Sequence, residues 1–289
     1  MSKSSSLRAG FGRLLVGLGL AEVAAPAAEE VLPVSPPEGL AAREVRVYLP
    51  PGGVGPDTPL LLALDGQNMP AWRLAETVAR LAEERRIAAP VVVAVANTPD
   101  RIEEYGLAGA LDSKGRGRLA AEFQRFLVTE VLPAVRRRYG LRADPARTGL
   151  MGASLGGLSA LDLAWRRPDL FGFVGVFSGS LWWRGEDGDW QAHQRSRLAH
   201  RFVRETARRP ELRLWFQAGT QDETDDRDGN GVIDAIQDTT ELVDELAAKG
   251  FRRGEDVVYH QVEGGRHDEA TWAQALPVFL EWALPARRE

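Results

Sequence analysis

The chain of 289 residues carries 36 basic and 41 acidic side chains, a net charge of −5, and is 44% hydrophobic. A chain of this length and composition can bury a large core, and its negative charge gives no footprint for nucleic acid. The absence of cysteine excludes disulfides, thiolate nucleophiles and Cys-ligated metals. No apolar run approaches the length of a membrane span.

The first 30 residues have two interpretations. Basic residues precede a short apolar run at 14–20 and an Ala-Pro-Ala at 25–27, which resembles an export signal. The shortness of the run and Glu22 favour an ordinary N-terminal extension instead. We therefore expect an extension over residues 1–40 and a single catalytic domain over residues 41–289, and the cellular compartment stays open between the two interpretations.

Apolar periodicity then alternates between strand and helix along the chain. It predicts, in order, strands at 45–49 and 60–64, a helix at 74–84, a strand at 91–96, a helix at 119–139, a strand at 148–151, a helix at 155–166, strands at 173–178 and 212–218, a helix at 239–249, a strand at 257–261 and a helix at 271–284. This alternation predicts a mostly parallel sheet with helices on both faces. Reactive side chains are then expected at the carboxyl ends of the strands.

The segment from Thr148 to Gly157 contains Gly-Ala-Ser-Leu-Gly, with Ser154 placed between a predicted strand and a predicted helix. This arrangement is typical of the nucleophile elbow of an α/β hydrolase, the fold class that we expect. A serine hydroxyl is a weak nucleophile until a neighbouring base removes its proton. The motif therefore requires a base and an acid elsewhere in the chain.

Candidates for both follow later strands. Asp222 comes just after the strand at 212–218, and His267 follows the strand at 257–261, which gives the order serine, acid, histidine of α/β hydrolases. In this interpretation His267 is the general base and Asp222 orients it and stabilises the imidazolium. Glu223 is an alternative acid, and Asp222 could instead belong to the acidic loop that follows it.

The tetrahedral intermediate of ester hydrolysis needs two N–H donors for its oxyanion. The elbow supplies one at the amide of Leu155. The turn after the strand at 60–64 offers the amides of Gly66 and Gln67 for the second, although an ordinary Asp-Gly turn explains the same sequence.

These motifs resemble those of the esterase family that groups enterochelin esterases, S-formylglutathione hydrolase, mycolyltransferases and some feruloyl and acetylxylan esterases. The similarity extends over residues 44–284, and its matching pieces are Leu-Asp-Gly-Gln at 64–67, Arg-Ile-Glu-Glu-Tyr at 101–105, Phe-Leu at 126–127 through Leu-Pro at 132–133, the elbow, Pro-Asp-Leu-Phe-Gly at 168–172, Ser-Gly-Ser-Leu-Trp-Trp at 178–183, and Gly-Gly-Arg-His at 264–267 followed by Trp272. The resemblance implies Ser154 as nucleophile, His267 as base, and the amides of Gln67 and Leu155 as the oxyanion hole.

One segment departs from this pattern. Residues 226–234 read Asp-Arg-Asp-Gly-Asn-Gly-Val-Ile-Asp, which has the spacing of an EF-hand loop with ligands Asp226, Asp228, Asn230, the Val232 carbonyl and Asp234. Position 12 of that loop, normally a bidentate glutamate, is a glutamine here, and the flanking helices of an EF-hand are not evident. We expect a structural calcium ion, with a solvated acidic turn as the alternative.

Trp182 and Trp183 follow the strand at 173–178 and are candidates for binding the substrate, or for packing a surface flap. Arg101, Glu104 and Tyr105 suit either a substrate contact or a structural ion pair.

The expected function is that of a serine esterase that acts on a small-molecule ester without a cofactor. An acyltransferase with the same catalytic residues and a non-catalytic, calcium-ordered binding protein on a hydrolase scaffold are the alternatives. The identity of the ester and the oligomeric state stay open.

Overall fold

The computed structural model describes residues 28–286, which form a single eight-stranded sheet with helices on both faces. The strands are β1 (Glu29–Val31), β2 (Val45–Tyr48), β3 (Leu60–Leu64), β4 (Val91–Val95), β5 (Thr148–Ala153), β6 (Phe173–Phe177), β7 (Arg213–Gln221) and β8 (Val257–Arg266), in the spatial order β1-β2-β4-β3-β5-β6-β7-β8. The pairs β1–β2 and β2–β4 are antiparallel, and every later pair is parallel.

Nine α-helical segments connect the strands of the described part. They are α1 (Leu74–Glu83), α2 (Arg101–Glu104), α3 (Ala120–Phe126), α4 (Leu132–Tyr139), α5 (Leu155–Arg166), α6 (Trp190–Ser196), α7 (Leu198–Glu205), α8 (Asp234–Ala248) and α9 (Glu269–Ala283). None of the helices between residues 28 and 286 combines the length and apolar character needed to span a bilayer.

The central strands are buried on both faces, so their sequences are continuously apolar. In β3 the side chains of Leu60, Leu62 and Leu64 join one core cluster, while Leu61 and Ala63 join a second on the opposite face. The first cluster includes side chains of α3, α4, α5, α7 and α8, and the second lies under α1 and α9. Strands β3, β4, β5, β6, β7 and β8 run parallel, so that their carboxyl ends form one edge.

This architecture confirms the predicted α/β-hydrolase fold with a mostly parallel sheet. Two helices differ from their predicted bounds by more than two residues. The helix expected at 119–139 is interrupted by a π-helical turn over Leu127–Val131, next to Pro133, whose nitrogen has no N–H to donate to a regular helical hydrogen bond. Helix α8 begins at Asp234 and not at 239. Its first turns were not predicted because they bury polar side chains and have no apolar periodicity.

Helices α2, α6 and α7 were not predicted, because they are short or lie in an Arg-rich segment. Part of the expected N-terminal extension belongs to the sheet, since Glu29–Val31 pairs with β2 as an edge strand. The suggested export signal lies almost wholly in residues 1–27, outside the described residues.

Candidate active site

Ser154 stands at the sharp turn between β5 and α5. Its backbone has φ 55° and ψ −127°, a conformation that costs a non-glycine residue about 1–3 kcal/mol and persists only where the surroundings impose it. The amide of Ser154 donates to the carbonyl of Phe177 at 2.9 Å, which ties the turn to the end of β6. The serine is thereby held out at the carboxyl edge of the sheet.

The glycines of the elbow are required by close packing. A Cβ at Gly152 would lie 2.5 Å from the carbonyl carbon of Gly156, and a Cβ at Gly156 would lie 2.7 Å from Oδ2 of Asp65. Both distances are shorter than real Cβ atoms show. Without side chains at these positions, the helix start approaches both β5 and the turn after β3.

His267 and Asp222 form a close pair. Nδ1 of His267 lies 2.6 Å from Oδ1 of Asp222, whose carboxylate is fully buried, while 43% of the imidazole is exposed. Oδ2 of Asp222 accepts hydrogen bonds from the hydroxyl of Ser178 at 2.6 Å and from the amide of Gly219 at 3.0 Å. Burial alone would raise the pKa of Asp222, but these hydrogen bonds, led by that of His267, hold it below its usual range.

Glu223, the alternative acid, points elsewhere. Its Oε1 is buried without a hydrogen-bond partner within the described residues, and burial raises its pKa to about 7. The geometry therefore pairs His267 with Asp222 and not with Glu223.

The turn after β3 is built around Asp65. This residue has a left-handed backbone with φ 55°, and its buried carboxylate accepts two hydrogen bonds from Arg101, at 2.7 Å each, and one from the side chain of Asn97. A Cβ on Gly66 would lie 2.5 Å from the carbonyl carbon of Ala94, so only glycine fits there. Asp65 thus anchors the turn that contains Gln67.

The two predicted oxyanion donors start helical turns. Gln67 lies in a 3₁₀ turn over Gly66–Asn68, and Leu155 is the first residue of α5. Neither amide donates to a backbone hydrogen bond outside its own helix in the described part of the chain. Backbone amides in the first turn of a helix are suited to bind negative charge.

Ser154 and His267 line one cleft of 210 Å³. Its other lining residues are Asp65, Asn68, Trp72, Asn97, Arg101, Ala153, Glu269 and Trp272. Oγ of Ser154 lies 3.2 Å from Oγ of Ser180, and no hydrogen bond joins it to the imidazole among residues 28–286. Catalytic hydrogen bonds are often long in ligand-free enzymes and shorten when substrate binds.

The predicted substrate contacts Trp182 and Trp183 are not among the lining residues of this cleft. Trp183 is fully buried, and Trp182 packs partly buried beside it with ring centroids 5.6 Å apart. Trp72 and Trp272 supply the aromatic wall instead. Of the two expectations for these residues, packing matches their positions, although Trp183 lies in the core and not in a surface flap.

The structure also separates the members of the Arg101 motif. Arg101 pairs with Asp65 and lines the cleft, whereas Glu104 is buried against Arg43 and the hydroxyl of Tyr105 accepts from the Asp65 amide at 3.1 Å. Glu104 and Tyr105 are therefore structural, and Arg101 serves both the turn and the cleft wall.

The predicted calcium loop precedes α8 directly, because Asp234, at position 9, is the first residue of that helix. The carboxylate of Asp226 accepts from the amides of Asn230 and Gly231, and Asp228 accepts from the side chain of Gln237, the residue at position 12. The side-chain oxygen of this glutamine accepts a hydrogen bond from the side-chain amide of Asn230.

The carboxylate of Asp234 accepts a hydrogen bond from the side chain of Arg227 in the same loop, and the side chain of Val232 is exposed to solvent. Within the described residues no three His, Asp or Glu side chains cluster as a metal site. Calcium binding therefore stays a prediction.

Sequence reasoning missed several residues that lie in or beside the cleft. Asn68, Trp72, Asn97 and Glu269 line it, and Ser178 and Ser180 contact Asp222 and Ser154. Trp272, Ser178 and Ser180 stood in the stretches that resemble the esterase family, which was the available signal. The others carry no motif, since they reach the cleft through the packing of loops.

The parallel sheet, the strained serine and the acid–histidine pair at one edge define an α/β-hydrolase. A family model described as Putative esterase matches residues 41–283. The chain belongs to this family.

Relatives of known sequence include the iron(III) enterobactin esterase of Escherichia coli O6:H1, which is 28% identical over 244 residues, 81% of this chain and 52% of the relative. The iron(III) salmochelin esterase of the same strain is 31% identical over 151 residues, 50% of this chain and 34% of the relative. The match thus spans about half the length of the enterobactin esterase and about a third of the length of the salmochelin esterase.

Solved structures support the fold. The enterobactin esterase from Shigella flexneri superposes with a TM-score of 0.67 at 23% identity, covering 90% of this chain and 58% of that one. A siderophore hydrolase from Aspergillus nidulans superposes with a TM-score of 0.63 at 21% identity, covering 90% of this chain and 96% of that one.

Proposed function

We propose that the protein is a serine carboxylic-ester hydrolase, with Ser154 as nucleophile, His267 as general base and Asp222 as the acid that orients the base. The observation that carries the proposal is the 2.6 Å contact between Asp222 and His267, whose imidazole lines the same cleft as Ser154. Membership in the Putative esterase family supports the same reaction class.

In the acylation step, Oγ of Ser154 attacks the ester carbonyl carbon while Nε2 of His267 takes the hydroxyl proton. Asp222 stabilises the imidazolium that forms, because its Oδ1 faces Nδ1 of the ring. The carbonyl oxygen gains negative charge, which the amides of Gln67 and Leu155 would stabilise.

The tetrahedral intermediate collapses when the C–O bond to the alcohol breaks and His267 returns its proton to the leaving oxygen. The acyl group is then held on Ser154 as an ester. His267 takes a proton from water, whose oxygen attacks the acyl carbon. The bond from that carbon to Oγ of Ser154 then breaks, His267 returns the proton to Oγ, and the carboxylic acid leaves. No step needs a metal or an organic cofactor.

The proposed substrate class is a siderophore ester, since three relatives that match more than 80% of this chain are named iron(III) enterobactin esterases. Feruloyl or acetyl sugar esters and small thioesters use the same catalytic groups and are the classes to compare. In the cleft, the rings of Trp72 and Trp272 offer apolar area and Asn68 and Asn97 offer hydrogen bonds. This mixture suits an acyl group that carries both an aromatic ring and polar substituents.

The test compares the wild-type chain with Ser154→Ala on a short p-nitrophenyl ester and on a panel of the three ester classes. The variant should lose about 10⁴-fold or more in kcat, because removing a catalytic serine abolishes the acyl-enzyme route. Ser159→Ala, on the same helix but outside the cleft, is the matched control and should keep wild-type kcat. Equal turnover by wild type and Ser154→Ala would refute the mechanism.

A fluorophosphonate probe separates the rival functions. Adduct formation at Ser154 requires an activated serine, which a binding protein need not have. Product analysis with an added alcohol then distinguishes a hydrolase from an acyltransferase, because an acyltransferase returns a new ester in place of the free acid.

A further inference from the structure

Ser178 is a buried serine at the end of β6, directly beside the acid of the proposed catalytic site. Its hydroxyl lies 2.6 Å from Oδ2 of Asp222, and Nε1 of Trp272 donates to it at 3.0 Å. An indole N–H can only donate, so it occupies a lone pair of the hydroxyl and leaves the single hydroxyl proton for another acceptor. The other candidate acceptor, Oε1 of Gln217, is farther away at 3.4 Å, so the proton points to Asp222.

Trp272 closes this set of contacts on the other side. Its ring meets the imidazole of His267 edge to face, with centroids 5.3 Å apart and planes at 82°. The chain of contacts therefore runs from Trp272 through Ser178 and Asp222 to His267 and back to Trp272. All four side chains thus fix one another.

We propose that Ser178 is a positioning residue of the hydrolysis reaction: its hydroxyl, oriented by the indole of Trp272, holds Oδ2 of Asp222 so that Oδ1 faces His267. The inference rests on the proposed function and extends it to two residues that do not carry out the chemistry. It depends on contacts that all lie within the described residues.

The physical reason is the freedom of a carboxylate to rotate. Oδ2 of Asp222 has two donors, the hydroxyl of Ser178 and the amide of Gly219, and together they fix the carboxylate plane. Hydrogen bonds to an ionised group are also among the strongest that proteins make. Without the hydroxyl, one backbone donor is left, and the imidazole loses its fixed orientation.

The backbone conformation of Ser178 supports a requirement for its hydroxyl at this position. Its φ of 44° lies in the left-handed region, which is unusual for a residue other than glycine, asparagine or aspartate. A glycine would adopt this conformation with less strain but could not supply the hydroxyl.

Two substitutions test the inference. Ser178→Ala should lower kcat about tenfold or more, the effect of losing a hydrogen bond to a charged group, with KM within about twofold of wild type. Trp272→Phe keeps a ring against His267 but removes the indole donor, so it should lower kcat less. The double variant should resemble Ser178→Ala, because the indole acts on Asp222 through the hydroxyl.

A cycle with Asp222→Ala gives a readout that a merely structural role would not move. In the Asp222→Ala background, Ser178→Ala should cause no further loss of kcat, because the group that it positions is gone. An equal loss in both backgrounds would overturn the proposal, as would a kcat for Ser178→Ala within twofold of wild type.

Ser159→Ala is the matched control for loss of a buried hydroxyl. Ser159 is 2% exposed and accepts from the amide of Gly106 at 2.8 Å, away from Asp222. This variant should melt at a lower temperature but keep wild-type kcat.

If Ser178→Ala does not fold, Trp272→Phe carries the test, and an unchanged kcat in that variant overturns the proposal. Failure of the proposed function itself looks different, since Ser154→Ala would then hydrolyse esters as fast as wild type.

Discussion

Gly156 leaves open the space that the carboxylate of Asp65 occupies: a Cβ on this glycine would lie 2.7 Å from Oδ2 of Asp65. The second glycine of the Gly-x-Ser-x-Gly motif therefore contacts the turn after β3 as well as serving the elbow. Since Asp65 starts the turn that carries Gln67, the two halves of the proposed oxyanion hole meet at this contact.

Gly156→Ala is expected to lower kcat for ester hydrolysis at least tenfold. The added methyl group displaces the Asp65 carboxylate and, with it, the amide of Gln67, and loss of one oxyanion donor costs about 10²–10³-fold. Steady-state kinetics on a p-nitrophenyl ester measures the effect. Gly55→Ala is the control, because a Cβ there meets nothing within 4 Å and its φ is not in the left-handed region. Wild-type kcat in Gly156→Ala would mean that the turn does not take part in catalysis.

Asp222→Asn should reduce kcat by about 10³–10⁴-fold, because the amide cannot hold the imidazole in the required tautomer or stabilise its charge. The adjacent Glu223→Gln replaces a carboxyl that makes no contact with His267 in the described residues and should stay within about threefold of wild type. Kinetics of both variants, with circular dichroism to verify folding, decide between the two acids. The reverse ranking would assign Glu223 as the acid.

The pH dependence of stability should reveal the raised pKa of Glu223. Burial raises its pKa from 4.5 to about 7, so between these values the folded protein holds a proton that the unfolded chain has lost. Stability then falls as the pH rises through this window. Glu223→Gln removes this term, so its melting temperature should exceed that of wild type at pH 8, and the advantage should shrink toward pH 4. Thermal denaturation between pH 4 and 8 measures it, and parallel curves for the two proteins would contradict the assignment.

Calcium should raise the melting temperature of the chelator-treated protein, and chelation should reduce activity because the loop follows Asp222 directly. Asp226→Ala should abolish both effects. Gln237→Glu should strengthen binding, since it restores the bidentate carboxylate of position 12 in an EF-hand loop. Isothermal titration calorimetry with CaCl₂ measures the affinity. Full activity in excess EGTA, with no heat of binding, would favour the solvated acidic turn.

Hydrophobic periodicity was sufficient to predict the alternation of strands and helices, because the central strands are buried on both faces and a helix such as α1 on one. Hydrophobic periodicity failed to predict segments in which polar side chains are buried. The first turns of α8 bury Gln237, Asp238 and Thr239, and polar residues that are buried by ion pairs and hydrogen bonds leave no apolar pattern.

Spacing along the chain was enough to predict the fold class and the three residues proposed for catalysis, because Ser154, Asp222 and His267 each follow a strand and parallel strands end at one edge of the sheet. The surroundings of these residues follow only from the tertiary structure. It placed Trp72 and Trp272 in the cleft and Trp183 in the core, and it joined Ser178 to Asp222. These contacts join residues far apart in the chain, and they depend on how α1, α9 and the ends of β6 and β7 pack, which no local spacing encodes.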